Sequence, residues 1–349
     1  MAFHPDQLPD LTGKVYIVTG GNAGIGYYTV MNLAKHNAHV YMCARSTTKG
    51  NTAIENIKKE YPAARLSLLE MDHMSLASVV TAAKTILSKE PELHGLVNNA
   101  GIMDTPFEIS KDGFEAQWQT NHLAHWVFTA HLLPLLLQTS KKYPAGTIRV
   151  VSITSGGHWF APKEGIKFDD TSLPKRSGGV RYGQSKLANI LHAKIINQRY
   201  GPSSESAKNC KGQIWTAAIH PGLVERLNST ILSSIFNMPR FRRNKLMCWP
   251  SSQLASQAVG VVSKNLLPVL RKFGGYIDGY RGSFTSVYCV ASPDMKPEYS
   301  GVYFERIAKA NGSSSGKSKN MELAAKLDRY TEDLMIKGGW APDNYLKGV

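Results

Sequence analysis

The sequence has few charged residues and few cysteines. Only 19% of its 349 residues are charged and 42% are hydrophobic, a composition that predicts a folded core rather than intrinsic disorder. The four cysteines lie far apart, with neither CxxC spacing nor the density of a disulfide-rich secreted domain: Cys43, Cys210, Cys248 and Cys289. This pattern favours a reducing compartment, and we expect a cytoplasmic protein.

Long apolar runs are also absent. The longest, residues 126–137, contains His131 and Pro134 and is shorter than the roughly 20 residues of a membrane helix. Residues 1–14 hold two prolines, two aspartates and no apolar stretch, so we expect neither a signal peptide nor a membrane anchor there. The sequence therefore predicts a soluble protein.

Acidic residues are scarce relative to basic ones. The chain has 41 Lys and Arg against 26 Asp and Glu, a formal charge of +15. The basic residues are dispersed, which does not indicate a nucleic-acid partner. One local group occurs within an aromatic segment, residues 236–249: Arg240, Arg242, Arg243 and Lys245. Binding to a membrane surface would explain it, but a lid over an apolar substrate is preferred.

Short apolar, β-branched runs alternate with longer amphipathic segments. This pattern predicts an α/β fold with a doubly wound parallel sheet, covered by helices on both faces, in one domain across residues 1–349. The predicted strands are 15–19, 40–44, 66–69, 96–98, 148–153 and 214–219. The first predicted helix follows residues 15–19 and ends near residue 35. The later ones cover 46–61, 75–90, 114–137 and 182–200, and Ser46 is the predicted N-cap of the first of these.

The pattern is looser after residue 222. Residues 223–250 are interpreted as a substrate lid, followed by a helix over 251–267. Residues 310–349 form a C-terminal extension, in which 310–320 resemble a flexible loop and 321–336 a last helix. Residues 312–316 match the nucleophile-elbow pattern of hydrolases, but no strand precedes them, so the match is treated as coincidence.

A glycine-rich turn follows the first predicted strand. Such a turn binds a dinucleotide because glycine permits tight bending and close approach of the backbone to the pyrophosphate, which then faces a helix N-terminus. An ordinary glycine turn is the alternative. The candidate cofactor-binding residues in this turn are Gly20, Asn22, Gly24, Ile25 and Gly26.

The residue after the second predicted strand indicates which dinucleotide is bound. An acidic residue there binds the ribose hydroxyls of NAD, whereas an arginine accommodates the 2′-phosphate of NADP. This position is Arg45, with no carboxylate at the end of the strand. The sequence therefore favours NADP(H), with a solvated loop arginine as the alternative.

Tyr182 and Lys186 lie one helical turn apart. A neighbouring ammonium favours the phenolate of a tyrosine and lowers its pKa, which makes the phenol useful in acid-base catalysis. Chance alone predicts about one Tyr-x-x-x-Lys in a chain of this composition, so the motif has weight only through its position after the fifth predicted strand.

Several motifs occur together in a fixed order. Residues 98–101 read Asn-Asn-Ala-Gly, Asn121 lies in the next helical segment, and Ser155 follows the fifth strand upstream of Tyr182. With the glycine turn, they resemble the short-chain dehydrogenase/reductase superfamily. The segments 121–125, 155–158, 185–189 and 220–222 are similar to those of its retinol dehydrogenase and WW-domain-containing oxidoreductase group.

The resemblance implies a Rossmann fold and a role for each matching residue. Tyr182 would exchange a proton with the substrate oxygen, and Lys186 would lower its pKa and hold the nicotinamide ribose. Ser155 would orient the carbonyl, and Asn121 would hold a water that relays protons. The implied cofactor contacts outside the glycine turn are Asp72 at the adenine, Asn99 near the adenosine ribose, and Val224.

One position departs from the family pattern. Arg226 stands where a threonine usually contacts the nicotinamide carboxamide, and the nearest hydroxyls beyond it are Ser229 and Thr230. This departure leaves the anchoring of the nicotinamide open.

The sequence thus predicts an NADP-dependent oxidoreductase that interconverts a carbonyl and an alcohol on a bulky, hydrophobic molecule. A non-catalytic NADPH-binding sensor or scaffold, and a cyclase or isomerase on the same fold, are alternatives. An epimerase is disfavoured because the glycine spacing differs from Gly-x-x-Gly-x-x-Gly. His122 and His125 lack nearby partners at zinc-ligand spacing, so no metal is expected. Whether the chain forms a homodimer is left open.

Overall fold

The computed structural model describes residues 2–224 and 277–342. Seven parallel strands form one sheet in the order β3-β2-β1-β4-β5-β6-β7. They are β1 Val15–Val18, β2 His39–Ala44, β3 Arg65–Glu70, β4 Gly95–Asn98, β5 Arg149–Ile153, β6 Trp215–Ile219 and β7 Val302–Phe304.

Helices cover both faces of the sheet. They are α1 Gly24–Lys35, α2 Thr47–Glu60, α3 Leu76–Lys89, α4 Ala116–Trp118, α5 Ala124–Ser140, α6 Gly178–Tyr200, α7 Glu205–Lys208, α8 Gly279–Ala291 and α9 Met321–Lys337. Within the described ranges, no helix is both long enough and apolar enough to cross a membrane.

Two hydrophobic clusters fill the spaces between the sheet and its helices. One contains Trp118, Trp126 and Phe128 and lies on the face covered by α3, α5 and α6. The other contains Tyr16 and Phe304 and lies on the face covered by α1 and α8. Burial on both faces explains why the strands read as continuous apolar runs. The predicted doubly wound α/β fold is confirmed.

The structure differs from the sequence prediction at several elements. The three-residue strand β7 was not predicted, because a run this short has no periodicity to recognise. Helix α6 begins at Gly178 rather than at Tyr182, since two glycines of low helix propensity obscure its start. A five-residue π-helical turn, Gln119–Leu123, separates α4 from α5 in the segment that was predicted to be one helix.

The predictions for the C-terminal half have mixed outcomes. Residues 225–276, which include most of the expected lid, the helix over 251–267 and Arg226, lie outside the described residues. The loop that was expected to be flexible, residues 310–320, instead contains a short 3-10 helix, Gly316–Lys319, with Ser315 and Ser318 buried. The last helix lies where it was predicted.

A buried ion pair fixes the start of α6. The Nε atom of Arg181 lies 3.0 Å from Oε1 of Glu115, and both side chains are buried. The guanidinium also donates to the carbonyls of Arg176 at 2.6 Å and Thr105 at 2.8 Å. The second oxygen of Glu115 accepts from the Trp118 amide at 2.7 Å and caps α4. The pair therefore ties the first turn of α6 to the segment before the π-helical turn.

We expect Glu115→Gln to lower the free energy of unfolding by about 3 kcal/mol, because it leaves the buried Arg181 guanidinium without its counter-charge. The side-chain oxygen that caps α4 is retained. Urea unfolding of the variant and the wild type measures the difference. Glu108→Gln, an exposed change in the same segment, is the control and should change stability by less than about 0.5 kcal/mol. Equal stability of both variants would contradict the role of the ion pair.

Candidate active site

The carboxyl ends of the parallel strands meet at one edge of the sheet, and the candidate residues lie along it. The strand order reverses between β1 and β4, which opens a crevice for ligands at this edge. The glycine turn follows β1, and the other candidates each follow one strand: Arg45 after β2, Asp72 after β3, Asn99 after β4, Ser155 after β5 and Val224 after β6.

The glycine turn has the geometry of an anion site. Helix α1 begins at Gly24, and its N-cap, Ala23, offers no side-chain acceptor to the first amides of the helix. Gly24 has a φ of +55°, and a Cβ placed there would meet nothing within 4 Å. A Cβ on Gly26 would lie 2.3 Å from the Gly20 carbonyl oxygen. Uncapped amides beside open space fit the pyrophosphate of a dinucleotide.

Thr19 joins this turn to the end of β4. Its Oγ1 atom accepts hydrogen bonds from the amides of Asn99 at 2.8 Å and Ala100 at 2.9 Å. In return, the side-chain amide of Asn99 donates to the Thr19 carbonyl at 2.8 Å. Asn99 was expected near the adenosine ribose, and the structure uses its side chain to hold the glycine turn.

A buried histidine, His125, extends this network to the π-helical turn that contains Asn121. The Nε2 atom of His125 lies 2.8 Å from Thr19 Oγ1 and 3.2 Å from Nε2 of His73, and its Nδ1 atom lies 3.0 Å from the Asn121 carbonyl. Burial lowers the pKa of His125 well below its usual value and that of His73 to about 4. Both rings are therefore neutral at pH 7. His122 instead lies 3.5 Å from Thr331 on α9, so His122 and His125 do not share a ligand site.

The residues expected to contact the adenosine part of the dinucleotide follow the second and third strands. The Gly21 amide donates to the Cys43 carbonyl at 3.0 Å, which holds the turn beside the end of β2. Arg45 follows and is exposed. Ser46 then caps α2 through the Lys49 amide, as predicted. Asp72 is half-buried and accepts from the Met74 amide at 3.0 Å.

Lys186 is buried beneath Tyr182. Its side chain is 4% exposed, and its ammonium donates to the Ile153 carbonyl at the end of β5 at 3.1 Å. The same nitrogen lies 5.6 Å from the centre of the Tyr182 ring. The i, i+4 spacing on α6 and the anchor on β5 therefore keep a positive charge beside the phenol.

Ser155 and Tyr182 meet at Gly157. A Cβ placed on Gly157 would lie 2.8 Å from Cε1 of Tyr182 and 3.4 Å from Oγ of Ser155. The Gly157 amide donates to Ser155 Oγ at 3.0 Å, which leaves the serine hydroxyl its own proton to donate. Gly157 thus allows the serine hydroxyl and the phenol ring to approach each other.

Asn121 lies in the π-helical turn and is held on three sides. Its Nδ2 atom donates to the Ile102 carbonyl at 2.9 Å and to Ser185 Oγ at 2.8 Å, and its Oδ1 atom accepts from the Ile102 amide at 2.9 Å. A Cβ on Gly101 would lie 3.0 Å from that Oδ1 and 3.2 Å from Nζ of Lys186. Oδ1 of Asn121 and the Lys186 ammonium therefore lie on the same side of Gly101.

Val224 lies near the glycine turn. A Cβ on Gly282 in α8 would lie 2.9 Å from Val224 and 3.3 Å from Ile25, so these two predicted cofactor contacts converge on one point.

Two buried histidines, His125 and His158, contact Asn121 and Ser155, and the sequence analysis assigned neither of them a role in the site. Their spacing in the sequence could have indicated these contacts, because His125 is four residues after Asn121 and His158 is three residues after Ser155.

Comparisons with known proteins agree with this architecture. The family model described as short chain dehydrogenase matches residues 14–161. A solved structure of an uncharacterized protein from Mycobacterium paratuberculosis superposes with a TM-score of 0.64 at 25% identity, covering 96% of this chain and 98% of that one.

Two curated relatives align over nearly the whole chain. The short-chain dehydrogenase/reductase drtF of Aspergillus calidoustus is 48% identical, covering 95% of this chain and 97% of that protein. Retinol dehydrogenase 12 of Mus musculus is 31% identical, covering 94% and 87%. By these matches, the chain belongs to the short-chain dehydrogenase/reductase family.

Proposed function

We propose that this protein is an NADP-dependent oxidoreductase that interconverts a carbonyl and an alcohol, with Tyr182 as the proton donor and acceptor. The observation that carries the proposal is the convergence of Tyr182, Lys186 and Ser155 at the edge of the sheet where α1 begins without a side-chain cap. Proton-transfer groups and a dinucleotide cradle thus lie at the same edge of the sheet, which a hydride-transfer reaction requires.

Each side chain has a distinct task in the reductive direction. A bound nicotinamide supplies the hydride. Ser155 donates a hydrogen bond to the substrate oxygen and so orients the carbonyl, while Tyr182 transfers the one proton that this oxygen takes up as negative charge develops. Lys186 stabilises the resulting phenolate, and its effect is strengthened because the ammonium is almost fully removed from water.

Asn121 supports this proton transfer without contacting the substrate. Its side chain fixes the segment at Ile102 and the α6 residue Ser185. Its Oδ1 atom and the Lys186 ammonium both lie next to the position that a Cβ on Gly101 would occupy. We assign to this space the water that returns a proton to Lys186 and Tyr182 after each turnover.

Arg45 supports NADP over NAD. It is exposed directly after β2, one residue before the cap of α2, where the 2′-substituent of the adenosine ribose is read in this fold. An arginine there pairs with a phosphate, whereas a ribose hydroxyl would be bound by a carboxylate.

Exposed apolar side chains at the edge of the sheet where Tyr182 lies support a bulky, hydrophobic substrate. Trp159 and Phe160, in the short helix that follows Ser155, are 54% and 50% exposed, and Leu223, after β6, is 53% exposed. Large exposed apolar groups on neighbouring segments mark a binding surface for an apolar molecule. The name of one relative, retinol dehydrogenase 12, also refers to an apolar alcohol.

We expect Tyr182→Phe to lower kcat by at least about 100-fold, because it removes the acid-base group, and to leave the NADPH dissociation constant within about twofold. The measurement is loss of absorbance at 340 nm with a panel of apolar ketones and aldehydes, alongside NADPH fluorescence titration. Tyr330→Phe, on α9 against Phe168, is the matched control and should behave as the wild type.

Turnover that persists in Tyr182→Phe would contradict the assigned role of the phenol. Product formation by the wild type without any oxidation of NADPH would point to an isomerase or cyclase instead. NADPH binding that is tight but accompanied by no turnover on any panel member would favour a sensor.

A second prediction concerns the cofactor. Arg45→Ala should lower kcat/KM for NADPH by about tenfold, since one charged hydrogen-bonding partner of the phosphate is lost, and should leave that for NADH unchanged. Arg65→Ala is the control, because Arg65 is exposed and lies at the start of β3, at the end of the strand away from the candidate site. An unchanged ratio of NADPH to NADH activity in Arg45→Ala would show that Arg45 does not select the cofactor.

A further inference from the structure

His158 connects the catalytic serine to the C-terminal extension. Its side chain is fully buried, with Nδ1 2.7 Å from the Ser155 carbonyl and Nε2 3.1 Å from the Ser315 amide. A carbonyl accepts only from an N–H group and an amide donates only to a lone pair, so both contacts are satisfied by the neutral ring with its proton on Nδ1. Burial lowers the pKa of His158, which keeps the ring neutral at pH 7.

The segment that meets His158 is held rigidly. Ser315 Oγ accepts from the Ser318 amide, and Ser318 Oγ donates to the Ser315 carbonyl at 2.6 Å. The Ser315 hydroxyl is therefore a helix cap, and the imidazole faces the amide rather than this hydroxyl. Residues 312–316 thus have a structural use, because Ser315 caps the 3-10 helix Gly316–Lys319 and its amide contacts His158.

The same segment contacts the far end of the helix that begins after Ser155. Lys317 donates to the carbonyls of Ala161 at 3.2 Å and Pro162 at 2.6 Å. The 3-10 helix Gly156–Phe160 is therefore held by residues 315–317 near both its ends.

That helix also packs against α6. A Cβ on Gly183, the residue after Tyr182, would lie 2.8 Å from the Gly157 carbonyl and 2.8 Å from the Ala161 amide nitrogen. The helix Gly156–Phe160 thus contacts α6 as well as residues 315–317. Any displacement of it would change the position of the Ser155 hydroxyl relative to the Tyr182 ring.

We propose that His158 is a positioning residue through which the C-terminal extension, at Ser315, holds Ser155 in register with Tyr182. Removal of the extension's contact leaves the phenol and the dinucleotide cradle in place but misplaces the hydroxyl that orients the substrate carbonyl. This inference rests on the proposed function, because its effect on turnover requires Ser155 to act in carbonyl reduction.

The decisive experiment compares Ser315→Pro with Ser315→Ala. Ser315 has a φ of −65°, an angle that proline also adopts. Ser315→Pro therefore removes the N–H group that donates to His158 Nε2 without requiring a change of φ. Ser315→Ala keeps that N–H group and loses only the hydroxyl cap, a loss that Ser315→Pro shares. The difference between the two variants therefore measures the bond to His158.

We expect Ser315→Pro to lower kcat for the best panel substrate by about tenfold relative to Ser315→Ala, as for a misplaced orienting group. KM for NADPH should stay within twofold, because the cradle is untouched. His158→Asn, whose side chain can donate to the Ser155 carbonyl but is too short to reach Ser315, should match Ser315→Pro. Equal kcat in Ser315→Pro and Ser315→Ala would overturn the proposal.

Hydrogen exchange separates this proposal from the proposed function. Amides of residues 155–161 should exchange at least about tenfold faster in Ser315→Pro and His158→Asn than in Ser315→Ala, because local opening becomes easier. This comparison holds even if the wild type reduces no panel member, an outcome that would count against the reductase alone. Equal exchange across the three variants would overturn the link between the extension and Ser155.

Discussion

The hydrogen bonds at Thr19 are the constraint on which the site depends. Its hydroxyl oxygen accepts hydrogen bonds from the two amides that follow β4, and its carbonyl accepts one from the side-chain amide of Asn99. These contacts join the ends of β1 and β4, the two strands between which the sheet order reverses. Because the crevice at such a reversal is where ligands bind in open α/β sheets, one threonine fixes the shape of the cradle and the path of the chain toward Asn121.

Helix α6 carries Tyr182 and Lys186, the pair to which we assign proton transfer, and contacts from other segments hold this helix and its side chains in place. The Arg181–Glu115 pair fixes its first turn, the Ile153 carbonyl holds Lys186, and Gly157 permits the Tyr182 ring to approach Ser155. Each of these contacts comes from a different element of the sheet edge. A buried ammonium beside a phenol acts through a lower effective dielectric than it would in water, so the fold itself increases the effect of a common residue pair.

Local sequence patterns predicted most strands and helices but not the contacts between residues that are distant in sequence. Strand ends and the positions of Tyr182 and Lys186 follow from hydrophobic runs and turn chemistry, which are local. The π-helical turn at Asn121 could not be read, because its residues fit an ordinary helical pattern. The bond between His158 and Ser315 joins residues 157 positions apart, and no periodicity links them. The expected flexible loop was misjudged for the same reason, since Ser, Gly and Lys are typical of loops whether or not these are buried.

Two buried histidines hold the backbone carbonyls of Asn121 and Ser155 in the same way. His125 donates through Nδ1 to the Asn121 carbonyl and uses Nε2 for Thr19, and His158 donates through Nδ1 to the Ser155 carbonyl and uses Nε2 for Ser315. A neutral imidazole is suited to this, because it presents one donor and one acceptor on opposite sides of a rigid ring. Burial keeps both rings neutral, so each behaves as a fixed strut. The positions of Asn121 and Ser155 are thereby determined by segments distant in sequence, the glycine turn in one case and the C-terminal extension in the other.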